Sequence, residues 1–338
     1  MNKFSYANPA SFAEAGALLA EKRFALPVLK AGGLDVLDHM KEGLMEPDLL
    51  INIRTLRSGK NALELVPAAG NAAEHVRIEA TATLMELAKS PVIQKRAPVI
   101  SLACGSAATP QVRNVASAAG NLLQRPRCWY YRNEQFDCLK KGGATCFAAE
   151  GENKYHAIFG DGPCHIVHPS NLAVALAVLN GRVTVWNAGK ERMVSLDKLY
   201  HMPSMGVKSE HTLEAGDIIT AIAADASPMS GFYAIKEKQS FDWPLVMAAA
   251  ALELDGDTIK SARICAGAVA PVPWMLPKVS AALAGVKVTD EAALKNACAA
   301  AAEGAKPMTD NGYKVKLLSV AVRRAVLKAA GKLMEDHA

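Results

Sequence analysis

Apolar residues recur at helical spacing in "PASFAEAGALLAEK" (9–22), where Ser11 stands as a helix cap and Glu14 as its capping-box partner. "FALPVLKAGG" (24–33) is an apolar strand ending in a turn of small residues, and "DVLDHMKEG" predicts a helix with Asp35 as cap and Gly43 as stop. "DLLINIRTL" (48–56) predicts a strand, and "HVRIEATATLMELAKS" (75–90) a strand running into a helix. Strand and helix therefore alternate over the first part of the chain, an α/β pattern. From 120 to 172 no period is visible. The stretch is polar and punctuated by glycine, and a structureless segment of that length in a compact protein points to a function or a metal that orders it. "SNLAVALAVLNG" (170–181) returns to a helix, capped by Ser170 and stopped by Gly181, and "RVTVWNAG" (182–189) alternates as a strand. A break falls near 205–230, where "AADASPMSG" stands. Beyond it, "FDWPLVMAAAALELDGDTIKSARICAGAV" predicts helix, strand, Asp-Gly turn and strand, an α+β pattern. "NGYKVKLLSVAVRRAVLKAAGKLME" predicts a closing amphipathic helix, and no internal repeat is visible.

Length and composition narrow the classes. The 338 residues are 51% hydrophobic and 21% charged, enough for two domains, or a large and a smaller one, with cores that need no disulfide staples. The net charge of +5 has no stripe behind it. Lys140-Lys141 and Arg323-Arg324 are only pairs, so a nucleic-acid partner is not expected, whereas an anionic cofactor or an acidic partner would suit. "MNKFSYANPASFAEAG" lacks a signal-peptide pattern, and the longest apolar run, around Pro244–Leu254, is too short to span a bilayer. The expectation is a cytoplasmic protein, or a periplasmic one exported with a signal-bearing partner. Seven cysteines without a signal argue against a disulfide scaffold.

Three features carry chemistry. In "PVLKAGGLDVL", Ala31, Gly32 and Gly33 lie between a strand and a helix start, where successive backbone N–H groups can cradle an anion. The pattern is neither GxGxxG nor a P-loop, and a plain tight turn is the competing reading. In "RNVASAAGNLLQ" (113–124), Ala118, Ala119 and Gly120 allow close backbone approach, and Asn121 can donate and accept hydrogen bonds. Two such loops suggest a long, phosphate-containing ligand held at two places. The third feature is the quartet Cys128, Cys138, Cys146 and Cys164, set among Arg125, Arg127, Arg132, Lys140 and Lys141, which would favour thiolates. Cys104, Cys265 and Cys298 lie in apolar segments and read as packing thiols. Four thiolates suit a [4Fe–4S] cluster or structural zinc. The absence of CxxC knuckles disfavours zinc, and the spacing is not that of a ferredoxin, so cluster, zinc and coincidence all stay open on spacing alone. His165 and His168 beside Cys164 are further candidate ligands or ordinary hydrogen-bonding groups. No GxSxG or HExxH signature is present.

Taken as a set, the motifs resemble the FAD-binding subunits of molybdenum hydroxylases, the xanthine dehydrogenase and aldehyde oxidoreductase group. "AGGLDVLDHMK", "PQVRNVASAAGNLLQ", "HPSNLAVAL", "KEKQSFDWPLV" and "GAVAPVPW" match that family's motifs in its order, over nearly the whole chain. The segment from Arg127 to Ser170 resembles the subclass whose flavin subunit carries an additional [4Fe–4S] cluster, and is similar to periplasmic-type aldehyde oxidoreductases. The resemblance implies an α+β protein: a vanillyl-alcohol-oxidase-type FAD-binding domain of two α/β subdomains (1–58 and 59–225, the iron–sulfur loop at 125–168), then a smaller α+β domain (226–338). It implies that Lys30, Ala31, Gly32, Gly33, Leu34 and Asp35 wrap the FAD pyrophosphate and that Ser117, Gly120 and Asn121 form a second contact loop. It places Asn171 where the family has Asp, Ile219 near the flavin, and Cys128, Cys138, Cys146 and Cys164 on the cluster. The departures are Ala119 for Gly, Asn171 for Asp, and Ala234 for Lys, with Lys236 and Lys238 nearby.

The implied role is electron transfer. A partner subunit with molybdenum cofactor would hydroxylate an aldehyde or heterocycle, and [2Fe–2S] centres on another partner would pass electrons to this FAD and on to an external acceptor. No NAD site is readable. A zinc-stabilised, non-redox scaffold is the competing class, and a CoA-thioester reductase flavin subunit a third reading.

Overall fold

The computed structural model describes residues 2–59, 61–70 and 72–333, and builds the chain on three sheets. The first is parallel, with Leu49–Asn52 between Ser5–Ala7 and Pro27–Lys30. Parallel neighbours need crossover connections, and the helices Phe12–Leu19 and Leu34–Lys41 lie in them. Ser11 caps the first as expected, accepting the Glu14 N–H at 3.1 Å, while the Glu14 carboxylate accepts from the Ala10 N–H at 2.6 Å. The second helix departs from expectation. Its cap position is Gly33, at φ 80, where glycine avoids the penalty other residues meet. Asp35 instead lies in the first turn, and its carboxylate is turned to arginines of the long loop.

The second sheet is antiparallel, in the order Leu63–Val66, His75–Glu79, Ile218–Asp225, Arg182–Asn187, Lys190–Ser195. The predicted strand-to-helix passage at 75–90 is present, and Thr83 and Glu86 close a reciprocal capping box on Leu84–Lys89. Ser170 caps Asn171–Ala177 by accepting the Ala173 N–H at 2.9 Å. That helix ends before Gly181, whose N–H returns to the Leu176 carbonyl at 2.9 Å.

The third sheet is antiparallel, in the order Trp274–Met275, Thr258–Gly267, Pro244–Asp255, Ser230–Lys236, and Tyr313–Ala329 packs on it. The alanine-rich run expected to begin as a helix is one long strand. Its side chains alternate between two cores: Met247, Ala249 and Ala251 join the core of the second sheet, and Val246, Ala248, Ala250 and Leu252 join the core under Tyr313–Ala329. A strand buried on both faces has no polar side, so its apolar run cannot be told from a buried helix by period. The Asp-Gly turn follows as predicted, with Gly256 at φ 58.

The aperiodic stretch is ordered without regular structure. It holds the short helix Trp129–Arg132 and the 3-10 turn Leu139–Lys141. Tyr130, Phe136 and Phe147 meet with ring centroids 5.1–5.9 Å apart, forming a local apolar centre. From the far end of the chain, the fully buried Lys314 donates through Nζ to the carbonyls of Tyr155 (2.8 Å), His156 (3.0 Å) and Ala268 (2.8 Å). Asn311 adds bonds to the carbonyls of His156 and Ala157, at 3.2 and 3.1 Å.

Candidate functional site: a two-loop cleft beside a four-cysteine pocket

The glycine turn and the second small-residue loop both line one cleft of about 550 Å³. Ala31, Gly32, Gly33, Leu34 and Asp35 come from the first, Ser117, Gly120 and Asn121 from the second, and Asn171 and Ile219 also line it. Gly32 is required by its packing, since a Cβ there would lie 2.1 Å from the Val115 carbonyl oxygen. The loops therefore touch where the cleft begins. The first-turn N–H groups of Leu34–Lys41 have no acceptor within their own helix and give this end an anion-binding character.

The second loop is fixed to the sheet behind it. Ala118 N–H donates to the Ala82 carbonyl at 2.7 Å and Ala119 N–H to that of Ala80 at 2.9 Å. Ser117 Oγ accepts the Gly120 N–H at 3.1 Å. Asn121 Oδ1 accepts from Ser170 Oγ at 2.6 Å, so its amide nitrogen is the group left for a ligand. Asn171 is buried and spends its amide hydrogens on the Ala103 carbonyl and Ser106 Oγ, at 3.3 and 3.2 Å. Lys30 is not brought to the cleft wall: its side chain crosses Gly33, and its Nζ stands 5.8 Å above the Tyr6 ring.

Cys128, Cys138, Cys146 and Cys164 all line a second, narrow pocket with Tyr130 and Phe147. All seven cysteines are free, and Cys104, Cys265 and Cys298 are buried in apolar surroundings apart from this group. Among the described residues, no three His, Cys, Asp or Glu side chains stand close enough to hold a single metal ion. His156 Nε2 lies 3.2 Å from Cys128 Sγ. His168 is buried edge-on against Tyr200, with ring centroids 4.4 Å apart, and burial lowers its pKa to about 4.

The cations around the quartet do not set its thiol chemistry as the sequence suggested. Burial pushes the Cys128 thiol up to about 11, against the N–H groups of Tyr131 and Tyr130. Cys146 is held below the ordinary thiol value, first by the hydrogen bond from Cys164. The basic side chains are instead neutralised by carboxylates. Asp35 Oδ1 meets Arg127 Nη2 at 2.9 Å and Arg132 Nη2 at 2.8 Å, and its Oδ2 accepts the Arg125 N–H at 2.8 Å. Burial raises the Asp35 pKa, but Arg127, the Arg125 N–H and Arg132 outweigh it and hold the carboxyl below its usual value. Glu210 meets Arg125 Nε at 3.0 Å and the buried Lys140 Nζ at 2.5 Å. One helix thus serves both pockets: its first turn lines the cleft, and Asp35 within that turn anchors the cysteine loop.

The first stretch of the chain, residues 2–224, matches the FAD binding domain in molybdopterin dehydrogenase, and residues 231–329 match the carbon monoxide dehydrogenase flavoprotein C-terminal domain. The chain belongs to this family. It is an FAD-binding subunit of the molybdenum hydroxylase type and an oxidoreductase component. It is 33% identical over 289 residues to the aldehyde oxidoreductase FAD-binding subunit PaoB of Escherichia coli K12, covering 84% of this chain and 86% of that one. It is 24% identical over 330 residues to the carbon monoxide dehydrogenase medium chain of Hydrogenophaga pseudoflava, covering 96% of each. Its fold is that of quinoline 2-oxidoreductase from Pseudomonas putida 86, with a TM-score of 0.73 at 22% identity over 98% of this chain and 99% of that one. No helix among the described residues is long and apolar enough to cross a membrane.

Two parts of the FAD-binding subunit's cleft escaped the sequence reading. The loop of Ala107, Ala108 and Thr109 lines it, as does the rim of Phe241, Asp242 and Trp243. Phe241 at 61% and Trp243 at 50% exposure are apolar surfaces left open at the cleft mouth. Their stretch, "SFDWP", resembles a family motif, but a helix was expected from FDWP onward and no ligand contact was read from it. The signal was Pro244, which disfavours a helical Trp243.

Proposed function

We propose that this chain is the electron-transfer flavin subunit of a multi-subunit molybdenum-dependent oxidoreductase acting on aldehydes. The observation that carries the reading is the single cleft into which the fold gathers the two small-residue loops. FAD fits it on this structure's own terms: first-turn N–H groups are available to a pyrophosphate, and the Asn121 amide nitrogen is left for a ligand in the same lining. We assign Ala31–Asp35, Ser117, Gly120, Asn121, Asn171 and Ile219 to its binding, and leave out Lys30, which does not line the cleft. When bound, the flavin supplies conversion between one-electron and two-electron transfer. The protein's part is to bind, to orient, and to exclude water with the Phe241–Trp243 rim. The likeness to the aldehyde oxidoreductase subunit supports the aldehyde class, and the match to the FAD binding domain in molybdopterin dehydrogenase supports a partner carrying molybdenum cofactor; [2Fe–2S] centres on a further partner complete the proposed route.

We assign Cys128, Cys138, Cys146 and Cys164 to a [4Fe–4S] cluster. Four cysteine sulfurs on one enclosed, aromatic-walled pocket are the donor set such a cluster takes. A cluster is several atoms wide, so its ligands stand further apart than those of one ion. That accounts for a quartet that fails as a single-metal site, and it weighs against zinc. The division at 58/59 and 225/226 is supported by the three sheets, each lying within one segment.

Anaerobic purification with flavin and iron quantified on one sample tests both assignments. The expected result is one FAD and about four irons per chain. FAD without iron, in chain purified with its partners, overturns the cluster. A colourless chain overturns the function.

A further inference from the structure

A third stretch of small residues, Ala107, Ala108 and Thr109, lines the cleft, and it is strained. Ala108 stands at φ 44, in the left-handed region that an alanine avoids, having a Cβ and no polar side chain to offset the cost. Such a conformation persists only where its surroundings hold it. Here two cations do. Arg113 Nη1 donates to the carbonyls of Ala107 at 2.7 Å and Ala108 at 2.9 Å, and Lys236 Nζ donates to that of Ser106 at 2.6 Å. Three consecutive carbonyls are thus turned onto positive charge. Arg113 Nε is buried without a hydrogen-bond partner, so the two carbonyls on Nη1 are what offset the burial of this side chain.

A cation near a helix end commonly does no more than satisfy the last carbonyls, and the helix Pro98–Gly105 ends just upstream. The carbonyls that Arg113 takes, however, lie beyond that helix and its cap Ser106, in the stretch that lines the cleft. Their engagement fixes what the stretch can offer a ligand. The Ala107 N–H is spent on the Cys104 carbonyl at 3.2 Å, while the N–H groups of Ala108 and Thr109 have no acceptor among the described residues. Arg113 itself does not line the cleft. We propose that Arg113 is a positioning residue for the flavin: it holds Ala108 left-handed and so presents the Ala107–Thr109 backbone to the cofactor without touching it. The proposal rests on the assignment of the cleft to FAD.

The test is a double-mutant cycle of Arg113→Met and Ala108→Gly in the full chain, purified with its partners, stripped of flavin and titrated with FAD by fluorescence quenching. Arg113→Met should weaken FAD binding at least about tenfold, the shift that a left-handed alanine costs once nothing holds it. Glycine takes positive φ freely, so in the Ala108→Gly background the same change should weaken binding no more than about threefold. The visible circular dichroism of the bound flavin should be altered in Arg113→Met and return in the double variant. Where Arg113→Met does not accumulate, Arg113→Gln, shorter and uncharged, carries the same comparison. An equal loss in both backgrounds makes Arg113 a counter-charge for the phosphates and overturns the proposal. Unchanged affinity with only a lowered urea midpoint makes it a helix-end cap and overturns it too. Both results leave the flavin assignment standing. A parent chain that neither carries nor takes up FAD overturns both.

Discussion

The cleft assigned to the flavin and the cysteine pocket have no lining residue in common and are built by opposite means. Every part of the cleft hangs on a regular element: the turn after Pro27–Lys30, the loop bonded behind Ala80 and Ala82, the end of the strand Ile218–Asp225. The cysteine pocket sits in a loop with hardly any ladder of its own, held by an aromatic centre, by Asp35 and Glu210, and by Lys314. A cleft made of sheet ends is preorganised by the core. A pocket made of loop is preorganised by a few polar contacts, each individually removable.

That contrast can be broken from either side. Gly32→Val should be the most damaging change, because its side chain would enter the Val115 carbonyl. A loss of about 4 kcal/mol of stability is expected, with flavin content falling at least about tenfold. Retained flavin would mean that the first loop moves freely. Lys314→Met should cost about 3 kcal/mol by orphaning the carbonyls of Tyr155 and Ala268, that of His156 keeping Asn311 as a donor. Hydrogen exchange should quicken at 153–157 with flavin retained, whereas loss of both cofactors would show the two pockets to be one cooperative unit. Asp35→Asn, with Arg127 and Arg132 left half-paired, should cost about 2 kcal/mol and loosen 125–132, seen as faster proteolysis there.

The mildest perturbation is acid. His168, whose folded pKa is about 4 against an ordinary 6.5, stays neutral in the fold and takes a proton only when unfolded. Its contribution is complete above 6.5 and shrinks as pH falls toward 4, by about 1 to 2 kcal/mol between pH 6.5 and pH 5. Asp35 and Glu210, held below their usual values, add their loss only below about pH 4. Urea midpoints across this range, compared between the parent and His168→Gln, would measure the first window. Equal slopes would remove His168 from the account.

The same contrast decides what was legible in the sequence. The cleft loops were readable because each follows a periodic segment and uses glycine where nothing else fits. The cysteine quartet was visible as a crowd of one residue type. The attachments were not. Asp35 reads as a helix cap until its partners, some ninety residues on, are brought beside it. Lys314 looks like one cation of an amphipathic helix, yet it is wholly buried against carbonyls over a hundred and fifty residues upstream. The alanine run failed for a different reason: a strand shared by two cores shows no polar face at all.

The position of Asp35 bears on the order of assembly. The helix that carries it is local to the first sheet, whereas its partners Arg127, Arg132 and the Arg125 N–H lie some ninety residues on, in the long loop. Contacts of such sequence separation close later than local ones. The cysteine loop therefore docks onto a helix already in place, and Asp35 is the berth it finds there.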